Sequence, residues 1–164
     1  MAIHAIWAQD LNGSFGLRGG MPWPRIPADM QHFKAVTGTS TLIMGRLTWE
    51  SLGGKPLPGR PHIVVSSQPL ALPEGVHLAA SPDNAVALSL DLTPDAFVIG
   101  GAGLIRHCVT LGWVDFLHIT LVLGFYPHDV RAPHLHGDWK EIATGLVQGG
   151  CIFTTLEKQR VEGA

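Results

Sequence analysis

From the first residues to about Thr110, short apolar runs that end in turn signals alternate with stretches of helical periodicity; beyond that point the helical pattern stops. Alternation of this kind builds an α/β fold with a mostly parallel sheet, because parallel neighbours must be joined by crossovers and helices usually supply them. Residues 3–9 (IHAIWAQ), 42–44 (LIM), 62–66 (HIVVS) and 96–99 (AFVI) read as strands. Between them come a helix over 27–37, a second opened by Gly45, a third from Pro82 to about Leu90 with Ser81 as its N-cap, and a fourth running from a glycine-rich turn to about Thr110. The last third reads as strands alone, at 115–122, about 139–146 and 151–157. Without crossovers these must pair partly antiparallel at one edge. Residues 12–20 form a long loop marked by Asn12-Gly13 and Gly19-Gly20, expected to be mobile. No repeat or linker divides the chain, so residues 1–164 are expected to be a single domain.

Charge and composition narrow the function. A formal net charge of −2 with no basic run argues against a nucleic-acid or membrane-surface binder and leaves small molecules as partners. The N-terminus has no charged region followed by a long apolar stretch, and no apolar run approaches the roughly 18 residues of a membrane span. A cytoplasmic location follows as the expectation. Cys108 and Cys151 are too few and too distant for a metal knuckle and read as small buried hydrophobes. Nine histidines form no ligand motif, since His134 and His136 lie in a proline-flanked loop, and no metal site is expected.

Asp29 is the residue that needs explaining. With Pro27 first in its helix, Asp29 shares a side with Met30, Phe33 and Val36, while Gln31, His32 and Lys34 point elsewhere. An acidic residue in a first turn is ordinarily solvated and favoured by the helix dipole. Here apolar neighbours and an entry loop carrying Gly19, Gly20, Met21 and Trp23 suggest a pocket wall. A carboxylate in such a wall needs a partner, and a flat heterocycle with two N–H donors fits it.

Two strand-to-helix turns look able to cradle phosphates. Gly45-Arg46-Leu47-Thr48 offers helix N-terminal amides, a guanidinium and a hydroxyl, and Gly100 to Gly103 offers amides with few Cβ atoms in the way. Each is equally well an ordinary tight turn. The second fails the dinucleotide fingerprint, since Arg106 stands at the third glycine position. Two such turns after separate strands of one sheet could hold a pyrophosphate between them, and Ser66-Ser67-Gln68 could meet a ribose or its phosphate.

Taken in order, these motifs resemble the dihydrofolate reductase family. Ile6-Trp7-Ala8-Gln9 matches its first strand, Gly16 through Trp23 its mobile active-site loop, and Pro27-Ala28-Asp29-Met30 with Phe33-Lys34 its substrate helix. Ile43-Met44-Gly45-Arg46 with Thr48-Trp49-Glu50-Ser51 matches its cofactor helix, Leu57-Pro58-Gly59-Arg60 the loop beyond, and Val98-Ile99-Gly100-Gly101 its glycine turn. The match is dense from Ile3 to Ile105 and thinner afterwards.

The resemblance implies a central, mostly parallel sheet of about eight strands flanked by helices, a monomer, and NADPH-dependent reduction of 7,8-dihydrofolate to tetrahydrofolate, supplying one-carbon metabolism and thymidylate synthesis. Asp29, Met21, Trp23 and Thr120 would be the catalytic set, with Thr120 supporting the carboxylate. Ile6 and Ile99 would offer carbonyls to the pterin edge, Ala8 and Met30 would line the same site, and Phe33, Leu52 and Leu57 would form the p-aminobenzoyl slot. Arg60 would take the glutamate α-carboxylate. Ala8, Phe15, Gly45, Arg46, Leu47, Thr48, Ser66, Ser67 and Gln68 would contact NADPH together with Gly100, Gly101, Ala102, Gly103, Leu104 and Ile105. Antifolates would be inhibitors. A related reductase of riboflavin biosynthesis shares the fold and cofactor, but Asp29 in its Trp-Pro context and Arg60 speak against it. A non-catalytic pterin- or nucleotide-binding module is disfavoured by the intact Asp29 and Met21.

The chain departs from the family pattern in several places. Three residues, Pro24, Arg25 and Ile26, separate Trp23 from Pro27 where two are usual, which can displace a water between the indole and Asp29. Leu47 and Gly103 stand where the family often has basic residues, removing phosphate contacts. Ile105 replaces an aromatic, and with the extra residue it predicts weakened trimethoprim binding, a resistance trait. His128-Asp129-Val130 stands for the family's Gly-Asp-Thr element and is expected to clasp the Met21 loop poorly.

Overall fold

The computed structural model describes residues 1–135 and 137–160. Eight strands form one sheet: β1 (Ala2–Asp10), β3 (Thr41–Gly45), β4 (His62–Val65), β5 (Val76–Ala79), β6 (Asp95–Gly100), β7 (Phe116–Val122), β9 (Trp139–Thr144) and β10 (Cys151–Lys158). Its order is β5-β4-β3-β6-β1-β7-β10-β9, and every pairing from β5 to β7 is parallel. β10 runs antiparallel to both of its neighbours, as the loss of crossovers after Thr110 requires. The eighth strand is β5, an edge strand of four residues that the hydrophobic pattern does not reveal.

Helices α1 (Pro27–Thr37), α2 (Arg46–Ser51), α3 (Pro82–Leu92) and α4 (Ala102–Thr110) supply the crossovers among the parallel strands except from β4 to β5, which a loop over 66–75 joins. α3 starts as its sequence requires, with Ser81 Oγ accepting the amide of Asn84 at 3.2 Å and Pro82 in the first turn. α1 has Pro27 in its first turn and ends at Gly38, whose φ of +53 suits glycine. Side-chain alternation along the strands sorts the core into two faces. On one, Ile3, Ala5, Ile43, Ile63, Val98 and Leu117 pack with Ala85 of α3 and with Ile105, Cys108 and Val109 of α4. On the other, Ile6, Leu42, Met44, Val64 and Phe97 pack with Trp49 of α2 and with Phe33 and Val36 of α1. Both cysteines are free and buried.

The loop after β1 is more structured than its glycines suggest. β2 (Ser14–Gly16) pairs antiparallel with β8 (Val130–Arg131), and Leu17 and Gly20 exchange two hydrogen bonds around Arg18 and Gly19, both at positive φ. Asp10, fully buried, organises the base by accepting backbone N–H groups of Asn12, Ser14 and Tyr126 at 2.7–2.9 Å. Burial alone would raise its pKa, and those donors outweigh burial and hold the carboxyl below the ordinary range.

Candidate active site

The parallel strands bring the C-terminal ends of β1, β3, β4, β6 and β7 to one edge of the sheet, where α/β proteins bind their ligands. Asp29 reaches this edge from the first turn of α1. Thr120, buried in β7 opposite Ala8, donates its hydroxyl to Asp29 Oδ1 at 2.7 Å. Burial pushes the Asp29 carboxyl above the usual carboxylate range, and the Thr120 hydrogen bond and the nearby His32 oppose that rise. The carboxylate is half-buried and spends a hydrogen bond on one oxygen, an arrangement suited to accept a bidentate N–H pair.

The apolar wall assembles beside it. Phe33, Leu52, Leu57 and Ile99 pack together against Ile6 and Trp49. The β1–β6 ladder ends at Ala5 with Val98, so Ile6 and Ile99 stand just past the point where these strands part. Arg60 is at the far end of α1, its guanidinium donating to the Thr37 hydroxyl and to Pro58 O. Trp23 is buried against Val122 and Cys151, with Ala8, Ile26, Tyr126 and Phe153 around it.

The two glycine turns face one another. A Cβ on Gly45 would lie 3.8 Å from Gly100 O and 3.9 Å from Gly101 N. Gly100, at φ +150 and joined to Gly101 by a cis peptide, leaves only 3.0 Å between such a Cβ and Thr48 Oγ1. At Gly101 and Gly103 a Cβ would meet nothing within 4 Å, so a phosphodiester can approach the amides at the start of α4. Arg46 beside this gap pairs with Glu50 at 3.1 Å, and Leu47 is 70% exposed. Ser66 Oγ and the Gln68 backbone form a local turn that leaves Ser67 and Gln68 at the surface. Among the described residues no group of three or more His, Cys, Asp or Glu side chains is placed to hold a metal; His136 lies outside them.

Several expectations need correction. Ile105 is 0% exposed and its side chain sits in the α4 face of the core, and the Ala102 methyl is buried as well, so neither side chain lines an open pocket in this structure. With its side chain in the core, Ile105 does not reshape the pocket that trimethoprim would fill. Phe15 and Leu104 are half-buried against that core cluster. Met30 does not share the carboxylate's wall: it is 47% exposed, with its sulfur 2.9 Å from Arg25 Nε. Met21 is 64% exposed. The clasp expected to be weak is made, since Arg18 N–H donates to Asp129 Oδ2 at 2.9 Å and Asp129 N–H to Gly16 O at 3.0 Å. Asp129 alone suffices because backbone groups supply the other half.

Sequence reasoning also missed His32. It does not point away from the sheet but lies flat on Phe153, with ring centroids 3.9 Å apart. Its spacing of three from Asp29 was the available signal.

A family model described as dihydrofolate reductase matches residues 2–149. The type 3 dihydrofolate reductase of Salmonella typhimurium is 38% identical over 167 residues, covering 98% of this chain and 100% of the relative. The dihydrofolate reductase of Mycobacterium leprae is 38% identical over 140 residues, 84% of each chain. Among solved structures, a dihydrofolate reductase from Enterococcus faecalis complexed with NADP(H) and an RAB-propyl compound superposes with a TM-score of 0.84 at 29% identity, covering 97% of each chain. No helix among the described residues is long and apolar enough to cross a membrane.

Proposed function

The chain belongs to the dihydrofolate reductase family, and from that premise we propose that it reduces 7,8-dihydrofolate with NADPH by hydride transfer to pterin C6 and protonation of N5. The observation that carries the reading is Asp29: a half-buried carboxylate, made more basic by burial and held by one hydroxyl, at the end of an apolar slot. In this reading it takes the 2-amino and N3 donors of the pterin as a bidentate pair and electrostatically favours the N5-protonated ring. Thr120 orients the carboxylate. The part of the ring that must be protonated lies away from Asp29, so the proton reaches N5 through water, which the Met21 loop admits or excludes.

Ile6 and Ile99 carbonyls meet the ring edge, Phe33, Leu52 and Leu57 enclose the p-aminobenzoyl group, and Arg60 pairs with the glutamate α-carboxylate. NADPH, when bound, supplies the hydride. The open approach at Gly101 and Gly103 fits its pyrophosphate, with Thr48 and Arg46 alongside and Ser66, Ser67 and Gln68 nearest to its ribose phosphate. Reduced folate for one-carbon transfer and thymidylate synthesis is the metabolic role that follows.

Purified protein should oxidise NADPH only when dihydrofolate is present, one NADPH for each tetrahydrofolate formed. Oxidation that ignores dihydrofolate, or that follows a ribosylaminopyrimidine instead, would remove the proposal.

A further inference from the structure

Besides the apolar packing of Phe33 and Val36, helix α1 meets the sheet beside the active site through two chemically different side chains. Asp29 takes the Thr120 hydroxyl, and one turn on, His32 stacks on Phe153 at 3.9 Å with 17° between the ring planes. The two receiving residues are register partners: Phe153 of β10 lies directly opposite Thr120 of β7. Helix residues three apart have Cβ atoms about 5–6 Å from one another, and opposed residues of an antiparallel pair about 4.5–5.5 Å, so the helix pair is matched in spacing to the sheet pair. Phe33 and Val36 anchor the helix on the apolar face, but without a further contact beside Asp29 a small roll could still shift the carboxylate while the Thr120 hydroxyl swung to follow. A ring stack does not survive such a roll.

We propose that His32 is a positioning residue for Asp29, its stack on Phe153 fixing the roll of α1 so that the carboxylate presents its open edge to the pterin. The proposal rests on the reading of Asp29 as the pterin-holding group.

The charges that face His32 add a second effect. Asp29 lies on its own helix and His118 faces the ring from β7, with His4 of β1 behind, hydrogen-bonded to His118 at 2.9 Å and 3.5 Å from Asp95, while Cys151 of β10 neighbours Asp29. Burial, helped by His4 and His32, pushes the His118 imidazole down to about 4, which keeps it neutral. The Cys151 thiol is pushed up by burial and by Asp29 and also stays neutral. Asp29 is therefore the charged neighbour that His32 answers to. Burial lowers the proton affinity of His32 and the Asp29 charge opposes that lowering, so the ring is neutral at neutral pH and gains its proton only below its ordinary range. The cation formed there favours the Asp29 anion and delays protonation of the carboxylate as pH falls.

Two variants separate the effects: His32→Phe keeps a flat ring on Phe153 but cannot be charged, and His32→Ala loses both. Single-turnover hydride transfer at neutral pH should slow by about tenfold or more in His32→Ala, as misplacement of a binding group does, and return to within about twofold of wild type in His32→Phe. Methotrexate affinity followed downward in pH should begin to fall at a higher pH in His32→Phe than in wild type. A His32→Ala rate within about twofold of wild type would overturn the positioning role, and so would a His32→Phe rate as low as that of His32→Ala. If His32→Ala does not fold, Phe153→Ala removes the same stack from the sheet side, and a rate there within about twofold of wild type would overturn the positioning role. Asp29→Asn measured in parallel distinguishes the failures. If it too is as fast as wild type, the reading of Asp29 has failed, whereas a slow Asp29→Asn beside a fast His32→Ala condemns only the role given to His32.

Discussion

Gly149 offers a sharp test of how Asp29 is held. It lies in the hairpin between β9 and β10 at φ +59, and a Cβ there would sit 2.7 Å from the Cβ of Ala28, the residue before Asp29. Carbon atoms in ordinary contact stay about 3.5 Å apart or more, so Gly149→Ala must separate the two segments by roughly 0.8 Å. The hairpin is fixed on several sides: Gly145 N–H bonds Phe153 O, Gln148 and Cys151 exchange two hydrogen bonds, and Gly150 O accepts Leu123 N–H. The first turn of α1 has no side-chain cap and yields more easily, taking Asp29 away from Thr120. A left-handed alanine costs about 1–2 kcal/mol and overpacking about 1–3 kcal/mol, so a stability loss of about 2–5 kcal/mol is expected in urea unfolding. Hydride transfer in single turnover should fall by up to about 100-fold. Adding Ala28→Gly removes the clashing atom and should restore most of the rate while leaving the backbone strain. Wild-type hydride transfer in Gly149→Ala, or no rescue by Ala28→Gly, would refute the claim that this contact positions α1.

Arg60→Leu should raise KM for dihydrofolate by roughly 10- to 150-fold, the worth of a charged hydrogen-bonded pair, and change it far less for a pterin without the glutamate tail. Equal losses for the two substrates would take Arg60 out of the site. Leu47→Arg, made on an exposed side chain beside the glycine turns, should widen the preference for NADPH over NADH, measured as the ratio of kcat/KM values. An unchanged ratio would place the 2′-phosphate elsewhere. Asp129→Ala removes the acceptor of Arg18 N–H and should speed proteolytic cutting near residues 17–20, with unchanged cutting refuting the clasp.

Much of this fold can be read from the chain because its signals are local and agree with one another. Pro27, Ser81-Pro82 and the glycines after β3 and β6 mark helix starts that the structure reproduces, and the end of helical periodicity after Thr110 places the antiparallel edge. What stayed hidden depends on contacts far apart in sequence. Strand β5 is only four residues long at an edge, and β8 exists because Asp129 and Val130 meet Gly16 across more than a hundred residues. At the site, Asp29 stands out as a carboxylate in an apolar setting. Its supports do not, because Thr120 was supplied by family resemblance and the stack of His32 on Phe153 by neither pattern nor motif. Ile105 shows the converse: a position read as a pocket residue becomes core once α4 turns that side chain inward.

The pairing of Asp29 with the pterin is tested most directly by single-turnover hydride transfer in wild type and Asp29→Asn across pH. Asparagine keeps the size and can still accept the Thr120 hydroxyl, but it carries no charge and presents an NH₂ where an acceptor is needed. The folded pKa of Asp29 lies above its unfolded value, so its contribution to stability is greatest in acid and is lost as pH rises through the raised value. The variant should therefore be at least as stable as wild type at neutral pH, and a slow rate cannot be blamed on unfolding. The wild-type rate should decline toward alkaline pH as the N5-protonated substrate disappears. Asp29→Asn should lose about 2–4 kcal/mol of transition-state stabilisation at neutral pH, roughly 30- to 1,000-fold, with the gap narrowing as substrate becomes protonated in acid. A variant that transfers hydride at the wild-type rate at neutral pH would leave Asp29 a helix-terminal charge and contradict the account.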